Sequence, residues 1–187
     1  MPPYFIGFLF TLGMSALLFV GALVTAGVTR RPPPALLKGG VADGLQLLLL
    51  ALVWWNVGVT WLLYFNVYPI HADMAAIGDA AFKAFARGYV TRLPVVVLPF
   101  GAGALCATLG LWATPGRFSR VALWGIATLW MLAIVSTRWA AGAQDDFHDL
   151  GFSDAGLRQL QLAHLARSVC VSGAAAWALL QLARPRE

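Results

Sequence analysis

The chain has 187 residues, of which 60% are hydrophobic and only 11% charged, with a net charge of +5. A soluble domain carries about 25% charged residues, and one of this length has too much surface relative to volume to hide so much apolar area. The composition therefore points to one integral membrane domain, its basic residues beside apolar runs where they orient the chain and meet anionic headgroups, with no basic–aromatic groove for nucleic acid.

A spanning helix needs about 20 mostly apolar residues. The first such run covers residues 4–29 and is followed by "RRPPP", which ends a helix because proline cannot continue one. "MPPYFIGFLF" lacks the basic n-region of a signal peptide, so this run reads as a retained span. The second covers 45–69 and closes at "YPIH"; the third covers 93–113 and ends at "TPG". In the third, Gly101, Gly103, Ala107 and Gly110 predict a smooth surface for close helix packing, and Pro99 predicts a bend. The fourth covers 120–139 and the fifth 160–183. The expected fold class is all-α: a polytopic bundle of five transmembrane helices, residues 1–187 forming one domain.

The segments between spans carry the remaining polarity. Residues 71–92 read as a loop containing a short amphipathic helix, with Ile77, Ala81, Phe82 and Phe85 on its apolar stripe. Residues 138–160 read as an acidic loop, with Ser153 and Asp154 placed to cap the fifth helix. Arg30, Arg31, Lys38, Arg117, Arg120, Arg184 and Arg186 lie on one side of the spans, and Lys83, Arg87, Arg92, Arg138 and Arg158 on the other. Basic residues mark the cytoplasmic face. Seven against five predicts a bacterial inner-membrane protein with its N-terminus outside and its C-terminus in the cytoplasm.

Candidate chemistry is sparse. On the fifth span, His164, Arg167, Ser168 and Ser172 share a face at helical spacing, and an arginine there has to find a partner or a wet cavity. Counted from Leu160, His164 lies about 6 Å and Arg167 about 10 Å along the helix. Two readings stand for this stripe: an ion pair between Arg167 and loop acids such as Asp73 or Asp145, or a pocket in which Arg167 binds an anionic or quinone-like group while His164 exchanges a proton. A second cluster, His71, Asp73, Asp145, Asp146, His148 and Asp149, matches no metal motif and reads as a solvated acidic surface. Cys106 and Cys170 read as buried thiols. Eight tryptophans suggest packing, or a surface for an aromatic or isoprenoid ligand.

From Leu47 to Pro185 the order of features resembles the anthrone-oxygenase-like family of small bacterial integral membrane proteins built on four helices. The resemblance rests on "WWNVGVTW", "FNVYPI", "GDAAFKAFARGYVTRLPVVVLPF", "HDLGFSDAGLRQL" and "AHLARS". It implies a four-helix core with the 4–29 span as an N-terminal addition, and it matches Tyr68-Pro69, Gly151-Phe152, Arg167 and Ser168 to the family pattern. Ala86 and Tyr89 stand where that pattern has two histidines, and His164-Leu165 where it has Asn-Trp. The expectation is a non-catalytic accessory or scaffold subunit of a larger membrane complex, respiratory or photosynthetic, with lipid, other subunits and a lipid, quinone or pigment as partners. The alternative is a small membrane oxidoreductase or oxygenase-like enzyme acting on a hydrophobic aromatic or quinone-like substrate. A transporter ranks third, since no internal repeat or midplane break is evident.

Overall fold

A computed structural model describes residues 3–183, with Val90 and His148 described by their backbone only. Among the described residues the chain is helical: α1 (Pro3–Thr29), α2 (Gly39–Leu62), α3 (Pro69–Ile77), α4 (Asp79–Thr91), α5 (Pro94–Leu109), α6 (Arg120–Asp149) and α7 (Asp154–Leu182). Five helical segments are long and apolar enough to cross a membrane: α1, the unit from α2 through α3, α5 with its terminal turn, α6 and α7. Their outward faces are apolar, with Leu17, Trp54, Trp55, Val135 and Val169 all exposed, as immersion in lipid requires.

The helices are longer than the apolar runs. The second span does not stop at Pro69. It passes through a π-turn, Leu63–Val67, and continues as α3 to Gly78, whose φ of 139° suits glycine and ends the helix. The stretch expected as the acidic loop 138–160 is mostly helix. α6 runs to Asp149, four residues turn the chain, and α7 starts at Asp154 with the Ser153 hydroxyl accepting from the Gly156 N–H at 3.0 Å. Asp145, Asp146 and Asp149, whose charge suggests a loop, occupy the solvated side of a helix whose other side, Ala140, Ala143 and Phe147, is buried. The stripe expected on α4 is also turned. Ile77 is exposed, and the inward face is Phe82, Ala86 and Tyr89.

Two apolar cores result. The larger surrounds Trp130, with Phe100, Leu111, Phe118, Leu123 and Ile126, and joins α1, α2, α5, α6 and α7. Glycines let the rings in: a Cβ on Gly125 would overlap the Trp177 indole, and one on Gly103 would come 2.5 Å from the Trp130 ring. Gly101 instead faces Thr11 and Phe8 of α1, so the expected smooth surface on α5 is divided between two neighbours. The smaller core lies at the other end of α6, where Phe82 and Phe147 meet Tyr68, Leu160 and Ala163. Far from it, Gln46 holds the 113–119 segment, donating to the Thr114 carbonyl at 3.2 Å and accepting from the Phe118 N–H at 2.9 Å. Cys106 is buried and Cys170 half-buried, both as free thiols.

Candidate functional site

Between the two cores a cleft of about 510 Å³ opens among α1, α2, α5, α6 and α7, within the range of small-molecule pockets. Its walls are mostly apolar, including Phe5, Phe8, Leu12, Val97, Phe100 and Ile134. Its polar groups gather in one region: Asn56, Thr60, Tyr68, Tyr89, His164 and Arg167, with Thr137, Arg138, Gln144 and Asp145 along α6.

Tyr68 reaches this region because of the turn before it. Pro69 has no N–H, and its ring would collide with the carbonyl four residues back in a regular helix. The chain avoids this by widening: the Tyr68 N–H reaches five residues back to the Leu63 carbonyl at 3.0 Å. Such π-turns concentrate at functional sites. The Tyr68 hydroxyl then lies 2.7 Å from His164 Nδ1, with the rings edge to face at 4.8 Å. His164 Nε2 lies 2.9 Å from the Thr60 carbonyl. A carbonyl only accepts, so Nε2 carries the proton, and in the neutral ring Nδ1 accepts the Tyr68 O–H. Both residues are buried, His164 completely.

Tyr89 enters from α4 and faces Tyr68. Burial pushes its hydroxyl well above the ordinary range for a tyrosine, the Tyr68 phenol adds to this, and the nearby Arg167 cation opposes it. Arg167 sits with its guanidinium 5.4 Å from the Phe100 ring centre, a cation–π arrangement. Its Nε is shielded from solvent and has no hydrogen-bond partner among the described residues. The ion pair expected with Asp73 or Asp145 is not formed: Asp73 is exposed, Asp145 lies exposed on the cleft wall, and the salt bridge at this end joins Lys83 to Asp79 at 3.1 Å. Because α7 starts at Asp154 rather than near Leu160, Arg167 is about 20 Å along a 29-residue helix, at its middle and not in its outer third.

The polar stripe of α7 thus separates into three roles. His164 and Arg167 face the cleft. Ser168 is buried and returns its hydroxyl to the His164 carbonyl at 3.0 Å, satisfied within its own helix. Ser172 accepts from the Trp61 indole at 3.0 Å and ties α7 to α2.

The second cluster is dispersed. His71 is fully buried among Tyr68, Phe82, Phe85, Tyr89 and Phe147, with Nε2 unpartnered. Asp73 is exposed on α3, Asp146 and Asp149 are exposed at the end of α6, and the His148 side chain lies outside the described residues. No three His, Cys, Asp or Glu side chains converge to hold a metal among the described residues. Sequence reasoning singled out His164 and Arg167 but missed Thr60, Asn56 and Phe100, and gave Tyr68 and Tyr89 no role in a site. The available signal was the Tyr-Pro pair inside a run that stays helical.

What this geometry offers is a mostly apolar cleft with hydrogen-bonding groups and the Arg167 cation gathered in one region. No known protein family, characterised protein or solved structure matches the chain.

Proposed function

We propose that this multi-pass membrane protein holds one hydrophobic small molecule, its polar head at Tyr68, Tyr89, His164 and Arg167 and its body along the apolar walls. The observation that carries this reading is the convergence of those four side chains, from three separate helices, in an otherwise apolar cleft. Nature places few polar groups in such pockets, and they set orientation. The reading sits closest to the oxidoreductase-like alternative, with a lipid-, aromatic- or quinone-like substrate; Tyr89 and His164 are positions where the chain departs from the anthrone-oxygenase-like pattern, so the reading rests on the cleft and not on that resemblance. In the neutral pair the Tyr68 O–H is the proton that would turn from His164 Nδ1 to a bound carbonyl; its transfer would leave a Tyr68 phenolate, whose negative charge Arg167 would stabilise.

The test uses Ala141, which is exposed and lines the cleft. Protein purified in mild detergent is extracted with organic solvent and the extract identified by mass spectrometry. A stoichiometric hydrophobic compound is expected from the native protein and not from Ala141→Trp, which fills the slot. Equal recovery from both would assign the compound to the lipid annulus and sink the reading. The same preparation addresses the accessory-subunit reading, which requires other subunits to co-purify in fixed ratio. We place the protein in a bacterial cytoplasmic membrane with the α4 end outside, on the excess of basic residues at the opposite end. A reporter fused after Glu187 that is active only in the cytoplasm checks this orientation.

A further inference from the structure

Arg167 is a cation at the centre of the bundle with no carboxylate to balance it. Among the described residues it has no ion pair and its Nε has no hydrogen-bond partner; the guanidinium lies over the face of Phe100, with the Tyr68 and Tyr89 phenols nearby. The groups around it, Tyr68, Tyr89 and His164, are all neutral in the arrangement described above. The other charged residues on the cleft wall, Arg138 and Asp145, are both exposed and of opposite sign. The floor therefore carries one uncompensated positive charge.

A neutral head such as a ketone or quinone would accept a hydrogen bond there but leave that charge standing. A carboxylate removes it and matches the planar fork of the guanidinium with two oxygens. The room bounds the rest of the molecule. About 510 Å³ suits one chain or one fused-ring body, not a two-chain phospholipid. We infer that the ligand is a single-bodied organic carboxylate, its head taken by Arg167 with Tyr89 as a second donor and its apolar body lying between α1 and α6. This rests on the reading of the cleft as a ligand site.

Binding to the full-length protein in neutral maltoside micelles separates the two claims. Radiolabelled palmitate is the probe and hexadecanol, the same chain with a neutral head, is the competitor. Palmitate is expected to bind the native protein on the order of tenfold or more tightly than hexadecanol, Arg167→Gln to bind the two equally, and Arg167→Lys to keep a preference for palmitate. If the native protein binds both equally and Ala141→Trp abolishes both, the cleft is a ligand site but the anionic head is wrong. If neither saturates, the ligand-site reading falls and this inference with it. The native comparison decides the matter even where Arg167→Gln does not fold.

Discussion

Tyr68→Phe removes one oxygen and keeps the ring, so it isolates the 2.7 Å bond to His164 Nδ1. His164 is fully buried, and the variant strands an acceptor from which solvent is excluded. A buried polar group left without its partner costs about 1–3 kcal/mol. Interhelical hydrogen bonds in membranes average about 0.6 kcal/mol and reach about 1.7. Complete burial of the acceptor places this bond at the upper end, and about 1.5 kcal/mol is expected for Tyr68→Phe. His164→Phe strands the Tyr68 hydroxyl and should cost a similar amount. The Thr60 carbonyl suffers less, because it still receives the Leu63 N–H within its own helix. With both changes no polar atom of the pair remains, so the double variant should be about as stable as either single one, a coupling of about 1–1.5 kcal/mol. Reversible unfolding in mixed micelles, titrated with sodium dodecyl sulfate, measures all three variants against the native protein. Additivity within about 0.5 kcal/mol would show that the two side chains do not act as a pair, and would remove the proton-handling reading of the site.

Gly125→Ala puts a methyl group into the Trp177 ring; overpacking of about 1–3 kcal/mol is expected, and the same unfolding assay should show most of it recovered in Gly125→Ala with Trp177→Leu. Ser153→Ala removes the cap on the Gly156 N–H and should cost about 1 kcal/mol, with faster amide exchange confined to the first turn of α7. The raised Tyr89 hydroxyl favours the protonated form in the folded state, so its contribution to stability is intact below the unfolded value of 10.0 and is lost as pH rises beyond it. Unfolding measured at about pH 9 and about pH 11 should therefore show an alkaline loss that is smaller in Tyr89→Phe; an identical loss in both proteins would place the titrating group elsewhere.

The five membrane-crossing helices were legible because predominantly apolar runs of about 20 residues, charge-free but for Arg167 in the fifth and residues at the run ends, admit few other structures. The helical end of α6 was hidden by a preference for reading Asp145, Asp146 and Asp149 as loop, although Ala140, Ala143 and Phe147 repeat at helical spacing and form the buried side. Charge on a helix that projects beyond the apolar layer costs nothing, so polarity alone does not end it. At the candidate site, the residues of α7 were visible as polar exceptions in an apolar run. Their partners were not. Tyr68 meets His164 across 96 positions of sequence, and nothing local to either residue encodes that meeting. The expectation that an arginine seeks an acid also misled: Arg167 found an aromatic face and two phenols, which a search for carboxylates passes over.

The π-turn has a consequence for how much length the second span can lose. Asn56, Thr60 and Leu63 succeed one another at the regular helical interval and line the cleft; the next member of that series would be Val67, but the residue that lines it is Tyr68. One extra residue has thus been absorbed, and everything beyond it is out of phase with a wheel drawn from Gly39. Deletion of the exposed Asn66 would put Tyr68 at the regular interval from Leu63, so its azimuth toward α7 would survive, at the expense of the clearance that Pro69 needs. Insertion of one residue at the same point would swing Tyr68 about 100° away from His164. The span therefore tolerates shortening and lengthening unequally, and the direction of that asymmetry is set by five residues.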